Sequence, residues 1–183
     1  MRWWKYLALL FVLALAACSE VGGGGSDEAR SALEEALLGP EGEYAAYAAY
    51  DAVIAKYGEV EPYLSIREAE RRHYEALEKL FDKYGLSYPA ENPYLGELKA
   101  PESLEEAARA WAEGEVKNIE MYDRLLPQVE GYPDITRVFE NLRRASEEVH
   151  LPCFNAAAER GGTLTQEEMQ EFCAPKDRGR GRR

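Results

Sequence analysis

Glu70-Arg71-Arg72-His73 and Glu147-Glu148-Val149-His150 decide how this chain is read: they share the spacing Glu-x-x-His and contain both histidines of the 183-residue sequence. A Glu and a His three apart on a helix lie one turn apart on the same face, so a carboxylate oxygen and an imidazole nitrogen converge on one ion. Two such helices suit two ions.

Both motifs sit inside helical patterns. Around the first, Ser65 and Glu68 form a capping box, and the inward face Ile66, Glu70, His73, Leu77, Leu80 and Tyr84 carries a helix to Tyr84 before Gly85. The helix before it runs from about Glu41 to Tyr57 with Glu43, Tyr47, Tyr50 and Ile54 on one face, and Gly58 closes it. Glu28 to Leu38 is also helical in pattern and stops at Gly39-Pro40. Leu86 to Pro101 carries three prolines and no sustained period, which predicts an extended crossover. Ser103 and Glu106 repeat the capping signal for a third helix reaching about Leu126, with Trp111, Glu115, Ile119, Tyr122 and Leu126 on one face. Pro133-Asp134 opens a fourth, whose face includes Val138 or Phe139, Arg143, Glu147, His150 and Phe154 and which ends at Gly161-Gly162. Thr165 and Glu168 start a last short helix, and no strand is legible. The expected fold is all-α: a four-helix bundle over residues 28–162, made of two hairpins joined by a crossover, plus a short C-terminal helix within 163–175.

The halves repeat each other. Glu43 is followed at plus seven and plus eight by Tyr50-Asp51, and Glu115 by Tyr122-Asp123; each unit leads to a Glu-x-x-His helix. Seven residues make two turns, about 10 Å, so each tyrosine lies on its glutamate's face.

One Glu from each of two helices and Glu-x-x-His from each of the other two is the ligand pattern of di-iron carboxylate bundles. Glu43, Glu70, His73, Glu115, Glu147 and His150 match it in count. Four buried carboxylates without cations repel and are costly to desolvate, whereas two divalent ions neutralise them. Carboxylate and imidazole suit iron first, with manganese or zinc able to use the same ligands. At these residues the chain resembles the ferritin-like superfamily, with a rubrerythrin-like site. It is more similar still to a bacterial family of ferritin-like domains known by a domain-of-unknown-function label. Tyr57-Gly58, Glu68-Ala69-Glu70-Arg71-Arg72-His73, Lys83-Tyr84-Gly85-Leu86 and Asn118-Ile119-Glu120-Met121-Tyr122-Asp123 carry the likeness, which covers roughly Ala32 to Arg160. The resemblance implies that Glu70 and Glu147 bridge two metals while Glu43, Glu115 and the histidines are terminal ligands.

Departures from the pattern fall beside the ligands. Gly39-Pro40-Glu41-Gly42 places helix breakers before Glu43, and Pro152, two residues after His150, should kink the fourth helix. Glu113 and Glu148 are substitutes for Glu115 and Glu147. Tyr47, Tyr50, Tyr122 and Trp111 fall near the expected metals, either as hydrogen-bond or electron-relay partners or as core packing. Asp51 and Asp123 are either acceptors for the imidazoles or solvated helix surface.

Residues 1–17 read as a targeting segment: Arg2 and Lys5 make a basic start, Tyr6 to Leu15 is apolar, and Leu15-Ala16-Ala17-Cys18 matches the lipobox of bacterial lipoproteins. The apolar run is about half the 20 residues a spanning helix needs. Lipidation at Cys18 predicts an extracytoplasmic protein anchored to a bacterial membrane, with residues 18–27 as a glycine-rich tether. Formal net charge is −12, and removing Arg2 and Lys5, with no acid in that segment, makes it −14. Such acidity argues against a nucleic-acid partner. The basic end at 176–183 reads as a disordered tail. Cys153 and Cys173 are left for a disulfide, with two buried thiols as the competing reading.

The expected function is a membrane-anchored protein binding two iron or manganese ions and oxidising ferrous iron with dioxygen or peroxide, with a homodimer compatible. A non-catalytic metal-binding or interaction lipoprotein is the alternative, and internal Glu–His salt bridges without metal a third reading.

Overall fold

The structure is a computed structural model and describes residues 23–174. The targeting segment, Cys18 and the basic tail therefore lie outside the described residues. Within them the chain is all helix, with no strand. Helix α1 spans Gly23–Leu38, α2 Glu43–Tyr57, α3 Tyr63–Tyr84, α4 Leu104–Leu125, α5 Pro133–Ala145, α6 Leu151–Glu159 and α7 Gln166–Phe172. A 3-10 turn at Leu126–Val129 extends α4, and a π turn at Ser146–His150 joins α5 to α6. The bundle is α2 with α3 as one hairpin and α4 with α5–α6 as the other.

Local signals place most of these ends. Ser103 caps α4 by accepting from the Glu106 N–H at 3.1 Å, and Thr165 and Glu168 form a full capping box on α7. Gly85 closes α3 in the left-handed conformation, with the Leu86 N–H returning to the Phe81 carbonyl. The start of α3 differs from expectation. The helix begins at Tyr63, two residues earlier, and the Ser65 hydroxyl and N–H both donate to the Glu61 carboxylate instead of capping through Glu68. The glycine run expected as tether is helical from Gly23 onward. Helix α1 is an integral part of the core, burying Ala29, Ala32, Leu33, Ala36 and Leu37.

Packing demands three glycines, the first being Gly39, where a Cβ would lie 2.5 Å from the Glu35 carbonyl oxygen. A Cβ on Gly42 would lie 2.6 Å from the Ala36 carbonyl oxygen, so only glycine lets α2 start against the end of α1. A Cβ on Gly162 would lie 2.1 Å from the Leu104 backbone, and its φ of +100° already disfavours other residues. Gly39 to Gly42 therefore forms a tight corner that delivers Glu43 as the first residue of α2.

The crossover is strapped to the bundle. Tyr94 donates to the Leu38 carbonyl at 2.6 Å, Asn92 to the Tyr44 carbonyl at 2.8 Å, and Lys56 to the Pro101 carbonyl at 2.8 Å. Cys153 and Cys173 are joined as a disulfide, which fastens the segment after α7 to α6.

The two larger of three apolar clusters fill most of the interior. One gathers Leu33, Leu37, Leu77, Phe81, Leu125 and Phe139, and the other Val53, Tyr63, Ile66, Cys153 and Phe154. Along α3 the buried positions read Ile66, Glu70, Leu77, Leu80, so a charged layer lies between the two. Tyr84, Ile119 and Leu126, expected on inward faces, are only half-buried or exposed; Asn118, Met121 and Leu125 take the inward places on α4.

Candidate metal centre

Among the described residues, the buried polar side chains are Glu43, Glu70, Glu115, Asn118, Ser146 and His150. All six belong to one network, joined by His73 at its edge. Isolated buried carboxylates are among the costliest groups a core can hold, so their concentration in one layer marks a site.

Glu70 is the centre. One of its oxygens, Oε2, lies 3.0 Å from His73 Nδ1, and the other, Oε1, lies 3.0 Å from His150 Nδ1. Glu43 adds Oε2 at 3.3 Å from His73 Nδ1, and Glu115 adds Oε1 at 3.4 Å from His150 Nδ1. The imidazoles face each other with ring centroids 5.4 Å apart. Glu70, His73 and His150 can hold a metal ion, since each offers a ligand atom within 4.8 Å of the others.

The tyrosines of the repeat do something its spacing did not show. Tyr122 donates to Glu43 Oε1 at 2.6 Å, and Tyr50 donates to Glu115 Oε1 in a short bond. Each tyrosine thus serves the other half's glutamate. A tyrosine two turns along is too far from its own carboxylate, but α2 and α4 run antiparallel, so the two plus-seven offsets interlock. Asn118 extends the network: its amide donates to Glu43 Oε1 at 3.3 Å and to the Glu41 carbonyl at 2.9 Å, and its oxygen accepts from Ser146 at 2.9 Å. Sequence reading missed Asn118 and Ser146. Their signal was spacing, because Asn118 is one turn from Glu115 and Ser146 one turn before His150.

Glu147 is not in the site. It is exposed and pairs with Arg143 at 2.7 Å. The cause is the π turn, in which the Leu151 N–H reaches back five residues to the Ser146 carbonyl. That turn accommodates one more residue than an α turn, so the residue four before His150, not three, shares its inward side. Ser146 therefore takes the buried place. Pro152 follows directly; with no N–H to return and a ring that crowds the carbonyl four residues back, it explains why a regular helix fails there. The repeat shows the insertion independently. Arg67 pairs with Asp51 at 3.0 Å and Arg143 with Asp123 at 2.5 Å, yet Arg67 is six residues before His73 and Arg143 seven before His150. Those aspartates fasten the hairpins and do not orient the imidazoles. Tyr47 likewise packs edge-on to Tyr74, with no hydrogen bond to the ligand set. Of the substitutes, Glu113 is exposed and Glu148 half-buried.

Electrostatics follow from this packing. Burial and the Glu70 charge push the Glu43 carboxyl up to about 7. Burial also disfavours charge on Glu70, but His73 and His150 outweigh it and hold the carboxyl well below its usual range. Burial alone would lower His73, yet Glu70 and Glu43 raise it to about 9; His150 is raised well above its ordinary value by Glu115 and Glu70 against the same penalty. Without metal, the imidazoles act as the cations of the layer.

The donor set fits a metal ion. His150 Nδ1 is buried and close to two carboxylate oxygens, but neither is aligned for a hydrogen bond, so it has no hydrogen-bond partner among the described residues. A nitrogen that approaches oxygens without bonding them suits a shared cation.

A family model described as an uncharacterized protein domain, DUF2202, matches residues 36–172. The chain belongs to this family. The matched stretch contains every residue of the network. The fold is similar to the crystal structure of hypothetical protein MJ0754 from Methanococcus jannaschii DSM 2661, with a TM-score of 0.62 and 24% identity over 79% of this chain and 90% of that one. No curated protein matches the chain.

Proposed function

We propose that this DUF2202 protein is a ferritin-like di-metal protein that binds two divalent ions, iron first and manganese second, and oxidises ferrous iron with dioxygen or peroxide. The observation that carries the reading is Glu70, with one oxygen toward each histidine. Glu43, Glu70 and His73 would hold one ion, and Glu115, Glu70 and His150 the other. Two ferrous ions held there would supply one electron each, the two that reduction of dioxygen to peroxide or of peroxide to water requires. Tyr122 and Asn118 orient Glu43, Tyr50 orients Glu115, and Ser146 orients Asn118, so the carboxylates are held before any ion arrives. A cavity reaching Glu70 and Glu115 favours an active site over a closed structural one. With Glu147 turned outward, Glu70 is the one carboxylate among the described residues that would be shared by both ions.

The leader and Cys18 support lipid anchorage outside the cytoplasm; among the described residues, no helix is long and apolar enough to cross a membrane. Replacing Glu70 and His73 together should abolish metal-dependent ferrous oxidation, and unchanged turnover would sink the proposal. Tight metal binding without turnover in the unaltered protein would favour the non-catalytic alternative.

A further inference from the structure

The ligand layer is sealed by the packing that builds it. Glu43, Glu70, Glu115 and His150 are each at most 3% exposed, so an ion needs a way through the bundle to reach them. Between α2 and α4 lies a cavity of about 460 Å³ that leads there, from the crossover at Leu98 and Lys99 to Glu70 and Glu115. Small side chains make the room, with Ala46 and Ala49 on α2 and Ala110 and Gly114 on α4. A Cβ on Gly114 would meet nothing nearer than a Trp111 ring carbon at 3.9 Å.

The charges of the lining are ordered from mouth to floor. Glu41 is half-buried and Glu113, Lys99 and Lys117 are exposed, which puts them at the opening, whereas Glu70 and Glu115 are buried at the inner end. Four carboxylates against two ammonium groups make the lining net acidic. An acidic cleft with low-dielectric walls focuses its field on a small cation and raises its rate of entry by about 10- to 1,000-fold. The volume takes a divalent ion with six waters, about 180 Å³ at about 30 Å³ for each water. Between the two ends the walls are alanine and glycine, which offer no side-chain ligand to hold the ion on its way. At the floor Glu115 engages Oε1 with Tyr50 and His150, and its Oε2 accepts no hydrogen bond among the described residues.

We propose that this cavity is the entry route for divalent cations: Glu41 and Glu113 draw the hydrated ion to the opening, and Glu70 and Glu115 take it from its waters at the inner end. The inference rests on the metal-binding reading of the site and adds two residues to it, neither of them a ligand. It also orders the filling of the layer. Glu43 and His73 do not line the cavity, so an arriving ion meets Glu70 and Glu115 first. Lys99 and Lys117 oppose the field at the mouth, so loss of either charge speeds entry.

The test is rapid mixing of the metal-free full chain with cobalt(II), read by the visible absorption of the bound ion, with equilibrium titration of the same samples for stoichiometry and affinity. Glu41→Gln with Glu113→Gln should slow loading by about tenfold at low salt and leave affinity within about twofold. The difference should vanish near 1 M salt, where the Debye length is about 3 Å. Glu167→Gln with Glu171→Gln removes the same charge from α7, which does not line the cavity, and should leave the rate unchanged. Lys117→Gln should raise the rate. Ala46→Leu narrows the route and should slow loading and release together; Gly114→Leu serves if that variant fails to fold. Two equivalents of cobalt loading at the unaltered rate in the Glu41 and Glu113 double variant and in the narrowed cavity removes this inference and leaves the metal site standing, with entry past His73, whose side chain is 15% exposed. Affinity that falls in step with the rate would make Glu41 and Glu113 ligands and also overturn it. No bound cobalt in the unaltered protein removes the route and the metal site together.

Discussion

Replacing Glu147 by Ala should leave the metal centre intact, although the Glu-x-x-His spacing makes it a ligand on paper. Its side chain is 48% exposed and pairs with Arg143, one turn back on the same surface. Arg143 keeps Asp123 when Glu147 is lost. An exposed pair at this spacing contributes about 0.3–0.5 kcal/mol, or roughly 1–2 °C of melting temperature in a domain of this size. Metal affinity should change by less than about twofold. Glu70→Ala is the contrast, since it removes the carboxylate that faces both histidines. Loss of groups that merely orient ligands lowers metal affinity by about 10–100-fold, so loss of the shared ligand should cost more than about 100-fold. Competition of each variant against a calibrated chelator, with elemental analysis and thermal melts alongside, gives both quantities. If Glu147→Ala loses metal as Glu70→Ala does, the π turn does not hold Glu147 outward in the loaded protein, and the account of the site is wrong.

Three further outcomes follow from the same geometry. Tyr122→Phe strips Glu43 of its 2.6 Å donor and should cost about 1–2 kcal/mol by denaturant melt, whereas Tyr47→Phe, outside the network, should cost far less. Removing the disulfide by Cys153→Ser and Cys173→Ser opens a 20-residue loop and should lower stability by about 3 kcal/mol, with reducing agent reproducing the loss in the unaltered protein. The metal-free stability and the gain from added metal should change with pH in opposite directions. His73 titrates at about 9 in the fold against about 6.5 unfolded, so its stabilisation is complete below about 6.5 and lost as pH rises through 9. Glu43, raised to about 7, acts in the same direction: its contribution is present below about 4.5 and lost above 7. The metal-free melting temperature should therefore fall between pH 6 and 9. Ions need those protons gone, so the melting-temperature gain on adding metal should grow over the same range; a gain that shrinks with pH contradicts the assignment.

Legibility in the sequence followed the range of the physical signal. Helix ends at Ser103, Thr165 and Gly85 were readable because a cap is decided by a few adjacent residues. Glu70 and His73 were readable because α3 is a regular α-helix, where three residues fix a relative direction. The same rule failed at Glu147 and His150 because it assumes α geometry through a segment that Pro152 makes irregular. Pro152 signals a kink, but a kink and a π turn differ in phase, and only the second exchanges Glu147 for Ser146. The tyrosines were found by their repeat and their partners were not, since partner choice depends on α2 and α4 being antiparallel. Ser65 with Glu68 resembled a capping box, yet Glu61 supplied the nearer acceptor.

The central claim is that two ions share Glu70. Elemental analysis of the protein purified from its native compartment tests it most directly: the account predicts two equivalents of transition metal per chain, iron or manganese, and less than one equivalent would contradict it.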